Sequence, residues 1–104
     1  MYLQANMPDI DGINSIRLKI EDRLRDLAIK RDIDTGSDFC LAELLAMLSD
    51  VSALSPTEFR AIRYIMDIYD KAMYSNKIDP SRITEATAIG ERVIRIIDKR
   101  LEIV

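Results

Sequence analysis

Ile13, Ile16, Ile20, Leu24 and Leu27 stand 3, 4, 4 and 3 residues apart. That spacing gathers all five on one face of an α-helix and scatters them over both faces of a strand. The same spacing returns three more times, so the chain must bury helix faces against one another. The first stretch runs from about Ile10 to Arg31, with Asp9 and Asp11 as acidic candidates for its N-terminal cap. Arg17 with Glu21, Glu21 with Arg25, and Asp26 with Lys30 fall at i,i+4, the pattern of a solvated outer face.

A second stretch is read from about Asp38 to Leu54. Leu41, Leu44, Leu45, Leu48 and Val51 form its stripe, widened by Phe39, Cys40, Ala46 and Met47. It holds Asp38, Glu43 and Asp50 but no Lys or Arg, so it carries the whole net charge of −3. A helix apolar over most of its circumference is expected inside a core or at a subunit interface.

Ser55-Pro56-Thr57-Glu58 opens the third stretch as a capping box with Pro at the first helical position. Leu54 and Phe59 are placed for a hydrophobic staple. Phe59, Ile62, Met66, Tyr69 and Met73 read as the core stripe, with Ala61, Ile65, Ile68 and Ala72 beside it. Arg63 with Asp67 and Asp67 with Lys71 are spaced to pair on the remaining face, and fraying is expected near Ser75-Asn76-Lys77. The fourth stretch repeats the start signal: Asp79 caps, Pro80 follows, and Ile78 and Ile83 occupy the staple positions. Its stripe is Ile83, Ala86, Gly90, Val93, Ile97, Leu101 and Val104, with Ile89, Ile94 and Ile96 alongside. A helical Gly costs about 1 kcal/mol relative to Ala, so Gly90 implies close approach of another helix backbone at that level.

No strand-type alternation of useful length and no repeat is present. The expected fold is a single all-α domain over 1–104, an antiparallel four-helix bundle in up-down-up-down order. Its links should be short, roughly 3 to 6 residues. Residues 1–8 precede the first helical pattern and are expected to be extended or disordered.

Composition removes several classes of function. The 104 residues include no His and one Cys, so no histidine triad, imidazole metal site or disulfide can be built within the chain. Cys40 is expected to be a small core residue in a reducing compartment. Eighteen acids against fifteen bases do not suit a phosphate-backbone binder. The set Arg92, Arg95, Lys99 and Arg100 is interleaved with Glu91, Asp98 and Glu102 and reads as complementing a helix dipole. MYLQANMPDID has no basic or sustained apolar region of a secretory signal, and no apolar run approaches the ~18 residues of a membrane span. A cytoplasmic location is expected, with neither nucleic acid nor membrane as a partner.

Two acidic patterns bear on metal chemistry. Asp32, Asp34 and Glu43 fall at positions 1, 3 and 12 of a segment that resembles an EF-hand calcium loop, with Asp38 between them. Gly36 stands where a ligand belongs and Ser37 where the turn needs Gly. A helix stop at Gly36 and a restart capped by Ser37 or Asp38 is therefore the expectation, with calcium binding absent or weak. Asp67-x-x-Asp70 is similar to one half of the magnesium site of all-α nucleotide pyrophosphohydrolases. Glu21, Asp22 and Asp26 miss the other half by one residue, and cations neighbour all of these acids. Gly36-Ser37-Asp38-Phe39 resembles the acyl-carrier signature with Ser and Asp inverted, so a carrier role is not expected.

What remains is a non-enzymatic assembly module. It is expected to self-associate, foremost as a homodimer, or else to bind another protein. Leu48, Ile65, Tyr64 and Tyr74 are the candidate interface residues, and no cofactor or catalytic residue is assigned. Metal-dependent nucleotide hydrolysis is the alternative, and a calcium-binding helix-loop-helix the second.

Overall fold

Helices form where the spacing placed them. The computed structural model describes residues 10–33, 40–75 and 78–102. They make four helices: α1 (Ile10–Lys30), α2 (Leu41–Asp50), α3 (Pro56–Tyr74) and α4 (Pro80–Glu102). These pack as an all-α four-helix bundle in one domain, with extents of 48 × 25 × 22 Å. The core is aliphatic. Ile13, Ile20, Leu24, Leu44, Leu48, Ile62, Ile65, Ile83 and Ile97 are all enclosed, and no polar or charged residue is buried among the described residues. None of the described helices is long and apolar enough to cross a membrane.

The direction of the helices corrects one expectation. Gly90 of α4 lies against Ile16 of α1, Arg23 bonds Asp98 at 2.5 Å, and Lys30 reaches the Arg100 and Leu101 carbonyls at 3.2 and 2.8 Å. Residue numbers rise together along both helices, so α1 and α4 run parallel. α2 starts beside Arg17 and Tyr69 and leads to Ala53, whose carbonyl accepts from Arg100 at 3.0 Å. It too runs with α1, and α3 opposes the other three. The order is up, up, down, up. Antiparallel neighbours were inferred from short links, but residues 31–40 separate α1 from α2, a reach sufficient to return the chain along the bundle. The links 51–55 and 75–79 are short, and there the antiparallel expectation holds.

The predicted starts of α3 and α4 are both formed. Ser55 Oγ accepts from the Glu58 amide at 3.1 Å, and Glu58 Oε1 accepts from the Ser55 amide at 3.0 Å. Asp79 Oδ1 accepts from the Ser81 amide at 3.0 Å. In the staples, Leu54 and Ile83 are buried while Phe59 and Ile78 are half-buried against the core.

The ends of α1 and α2 use a device that spacing did not reveal. Each closes in a Schellman motif whose left-handed residue is not Gly: Asp32 (φ 58°) and Ser52 (φ 58°). Ile33 and Ala53 then donate back to the Ala28 and Leu48 carbonyls at 2.9 and 2.8 Å. The stop of α1 thus lies at Asp32 rather than Gly36. α2 spans ten residues instead of the expected stretch from Asp38 to Leu54. Ala53 and Leu54 are buried outside the helix, which is why the apolar run looked longer than its helix. Ser52→Gly should raise the unfolding free energy by about 0.5–1 kcal/mol. Relief of a left-handed L-residue, about 1–2 kcal/mol, exceeds the extra entropy Gly loses on folding. Urea unfolding measures it, and an unchanged midpoint would refute the reading.

Candidate functional site

Shortness of α2 has a consequence for α3. Ten residues span about 15 Å, whereas the nineteen of α3 span about 28 Å. The buried row of α3 is therefore Ile62, Ile65, Ile68 and Ala72, which joins Ile62 of the expected core stripe to three residues of the stripe beside it. The other members of the expected core stripe lie at the boundary: Phe59, Met66 and Tyr69 are half-buried and Met73 is exposed. Between α2 and α3 this leaves an open groove of about 720 Å³. Leu45, Phe59 and Met66 give it an apolar lining, and Ala42 and Ala46 on α2 are too small to fill it. Arg60, Arg63, Asp67 and Asp70 are exposed along its α3 side.

The charges around the groove are unevenly engaged. Asp67 pairs with Lys71 at 3.2 Å. Arg63 lies over the Phe59 ring, 5.8 Å from its centroid, instead of pairing with Asp67 as the spacing suggested. Among the described residues, Arg60 and Asp70 have no ion-pair partner. Tyr64, an expected interface residue, contributes to the groove lining while its hydroxyl donates to Glu85 of α4 at 2.6 Å. That bond raises the phenol's pKa, because ionisation would place a phenolate beside a carboxylate. At the lower end a smaller cavity of about 190 Å³ opens beside Arg17, Cys40 and Tyr69. Arg17 stacks over the Tyr69 ring at 4.6 Å.

The sequence-level candidates scatter. Leu48 and Ile65, read as interface residues, are each 1% exposed inside the chain's own core. A helix that looked over-wide by composition simply packs them inward. Tyr74 is 82% exposed at the end of α3. Cys40 is exposed rather than buried, because it occupies the extended N-cap position of α2, outside the helix.

Of the calcium-loop candidates, Asp32 ends α1 and Glu43 accepts from the Cys40 amide at 3.0 Å. That bond holds the Glu43 carboxyl below its usual range. Asp34 and Asp38, with Gly36 and Ser37, lie outside the described residues. On the magnesium side, Glu21 is shared by Arg17 at 3.8 Å and Arg25 at 2.8 Å. Among the described residues no three acidic or thiol side chains converge as a metal site would need.

Of the C-terminal cations, Arg100 makes two hydrogen bonds to Glu58, at 2.8 and 2.6 Å, besides the one to Ala53. Its role is to tie α4 to the start of α3. The groove itself was missed because the sequence pattern showed Phe59 and Met66 as apolar without showing how short α2 is. No known protein family, no curated protein and no solved structure matches this chain.

Proposed function

We propose that the chain is a protein–protein interaction module that self-associates through the α2–α3 side of the bundle. The single observation that carries this reading is the groove: an open, apolar-lined channel flanked by charged side chains, on a bundle whose aliphatic core residues are enclosed. Patches of several hundred Å² that combine apolar area with a polar rim commonly mark interfaces. Arg and Tyr, which stand on this side, are frequent binding anchors. The α3 wall carries both signs, Arg60 and Arg63 beside Asp67 and Asp70, and so offers each of them an opposite charge on an incoming copy.

Light scattering at micromolar concentration should give about twice the 11.9 kDa chain mass. Ala46→Arg should return it to the single-chain mass with helicity unchanged, since residue 46 is exposed and the new side chain would occupy the groove. A single-chain mass for the wild type throughout that range would refute self-association. So would a dimer indifferent to Ala46→Arg for the groove. Charges at Leu48 or Ile65 are unsuitable probes, because both would unfold the monomer.

A further inference from the structure

Along the outward face of α3 stand Pro56, Arg60, Arg63, Asp67, Asp70 and Tyr74, spaced 4, 3, 4, 3 and 4 residues apart and all exposed. The spacing reads the same in both directions, and so does the chemistry once partners are matched. Laid antiparallel on a copy of itself, the row sets Arg60 against Asp70, Arg63 against Asp67 and Pro56 against Tyr74. Each match then occurs twice.

We propose that this row is a self-complementary dimer surface. Two α3 helices cross antiparallel about a two-fold axis passing at the level of Ile65, midway along the row. The assignment rests on the self-association proposed above and names its surface and its partner, a second copy of this chain. A two-fold contact requires one patch to complement itself, and a +,+,−,− row does so only in the antiparallel register. Laid parallel and in register, it would oppose like charges at every step. Arg60 and Asp70 have no ion-pair partner within the described chain, and Asp67 has Lys71 alone, so an incoming Arg63 extends an existing pair. Tyr74, 82% exposed, gains the Pro56 ring as apolar cover at each end.

Phe59 and Met66 flank the row on its groove side, where Ala42 and Ala46 leave room for the second helix. A contact about 28 Å long that takes in both α3 and the adjoining groove against α2, about two helix diameters or roughly 20 Å wide, covers ~600 Å² on each copy, at the low end for stable dimers. Assembly is therefore expected at micromolar concentration and should weaken as salt screens the pairs.

Charge reversal separates this surface from self-association in general. Arg60→Glu with Arg63→Glu makes the row wholly acidic, and Asp67→Arg with Asp70→Arg makes it wholly basic. Sedimentation of each double variant should show dimerisation weakened roughly a hundredfold or more, because four attractive matches become four repulsive ones. An equimolar mixture of the two should restore a dimer, and so should the quadruple variant, whose row is again self-complementary. All four positions are exposed, and far-UV circular dichroism confirms that each variant is folded. A salt titration of the wild type tests the same pairs without any substitution. If the wild type is dimeric and the double variants are equally so, this surface is refuted while self-association stands. A wild type that is monomeric throughout refutes both. A quadruple variant that stays monomeric when the doubles do overturns the antiparallel register.

Discussion

Replacing Gly90 by Ala should destabilise the protein by about 1–2 kcal/mol, although Ala is the better helix former by about 1 kcal/mol. Gly90 faces α1, and a Cβ built on it would overlap Ile16 Cγ2, with Ile65 Cδ1 3.5 Å away. The Ile16 side chain cannot swing aside cheaply. It is β-branched, has one strongly preferred χ1 rotamer in a helix, and is 5% exposed in a packed core. The overlap must be relieved by parting α1 and α4, which overpacking data place at about 1–3 kcal/mol and sometimes more. That exceeds the propensity gain.

Gly90→Leu should lose about 3 kcal/mol or more on the same argument. Removing the obstructing carbons gives the control: in Ile16→Ala the Gly90→Ala change should become far less harmful, or even favourable. The coupling between the two sites is then read from a double-mutant cycle by urea unfolding. Gly90→Ala alone raising stability by about 1 kcal/mol would mean that propensity decides and the helices are not held this close.

Gly90 also marks how far the sequence could be read. A glycine in an apolar helical stripe implied a close neighbour, and there is one. It is the Ile16 side chain of a parallel α1, not the backbone of an antiparallel helix. Spacing specifies which face of a helix is buried and is silent on the sense in which helices meet. The α1 and α4 stripes are buried along nearly their whole described length, and the Ser55 and Asp79 caps are formed.

Periodicity failed where structure departs from a helix without Gly or Pro to announce it. Asp32 and Ser52 take the left-handed conformation at helix ends, and nothing in their side chains advertises it as a glycine would. The end of α1 is nonetheless legible, at Lys30 against an expected Arg31; with both ends of α2 unmarked, it reads as seventeen residues instead of ten, Cys40 as core, and Phe59 and Met66 as fully covered. The groove is the sum of these misreadings. Within it, Arg63 and Asp67 read as part of a solvated face because i,i+4 pairing within one helix accounts for them; of the two expected pairs, Asp67–Lys71 is formed and Arg63–Asp67 is not.

Arg100→Met should cost about 2–3 kcal/mol, the range for losing charge-assisted hydrogen bonds in a partly shielded site. The guanidinium donates to both Glu58 oxygens and to the Ala53 carbonyl. One side chain thereby joins the last turns of α4, the link after α2 and the capping box of α3. The Glu58 side chain is 11% exposed. Without its partner, a shielded carboxylate would face only the Ser55 amide. Arg100→Lys should lose part of this, since an ammonium cannot make the two-pronged contact.

The acid dependence follows from the same pair. The Arg100 hydrogen bond is the leading cause that holds the Glu58 pKa below its ordinary 4.5, with burial opposing it. A carboxyl depressed in the folded state contributes stability that is complete above the unfolded value and is lost as pH falls through the folded one. The wild type should therefore weaken as pH drops below about 4.5. Glu43 and Asp79, lowered by their cap hydrogen bonds, act in the same direction. In Arg100→Met the Glu58 pKa rises toward or above its ordinary value, and the acid limb should flatten by that residue's share. Urea midpoints measured for both proteins between pH 3 and 7 decide the matter. Parallel curves would show that Arg100 does not set the Glu58 carboxyl, whereas curves that converge at low pH are expected, because a protonated Glu58 has no ion pair left to lose.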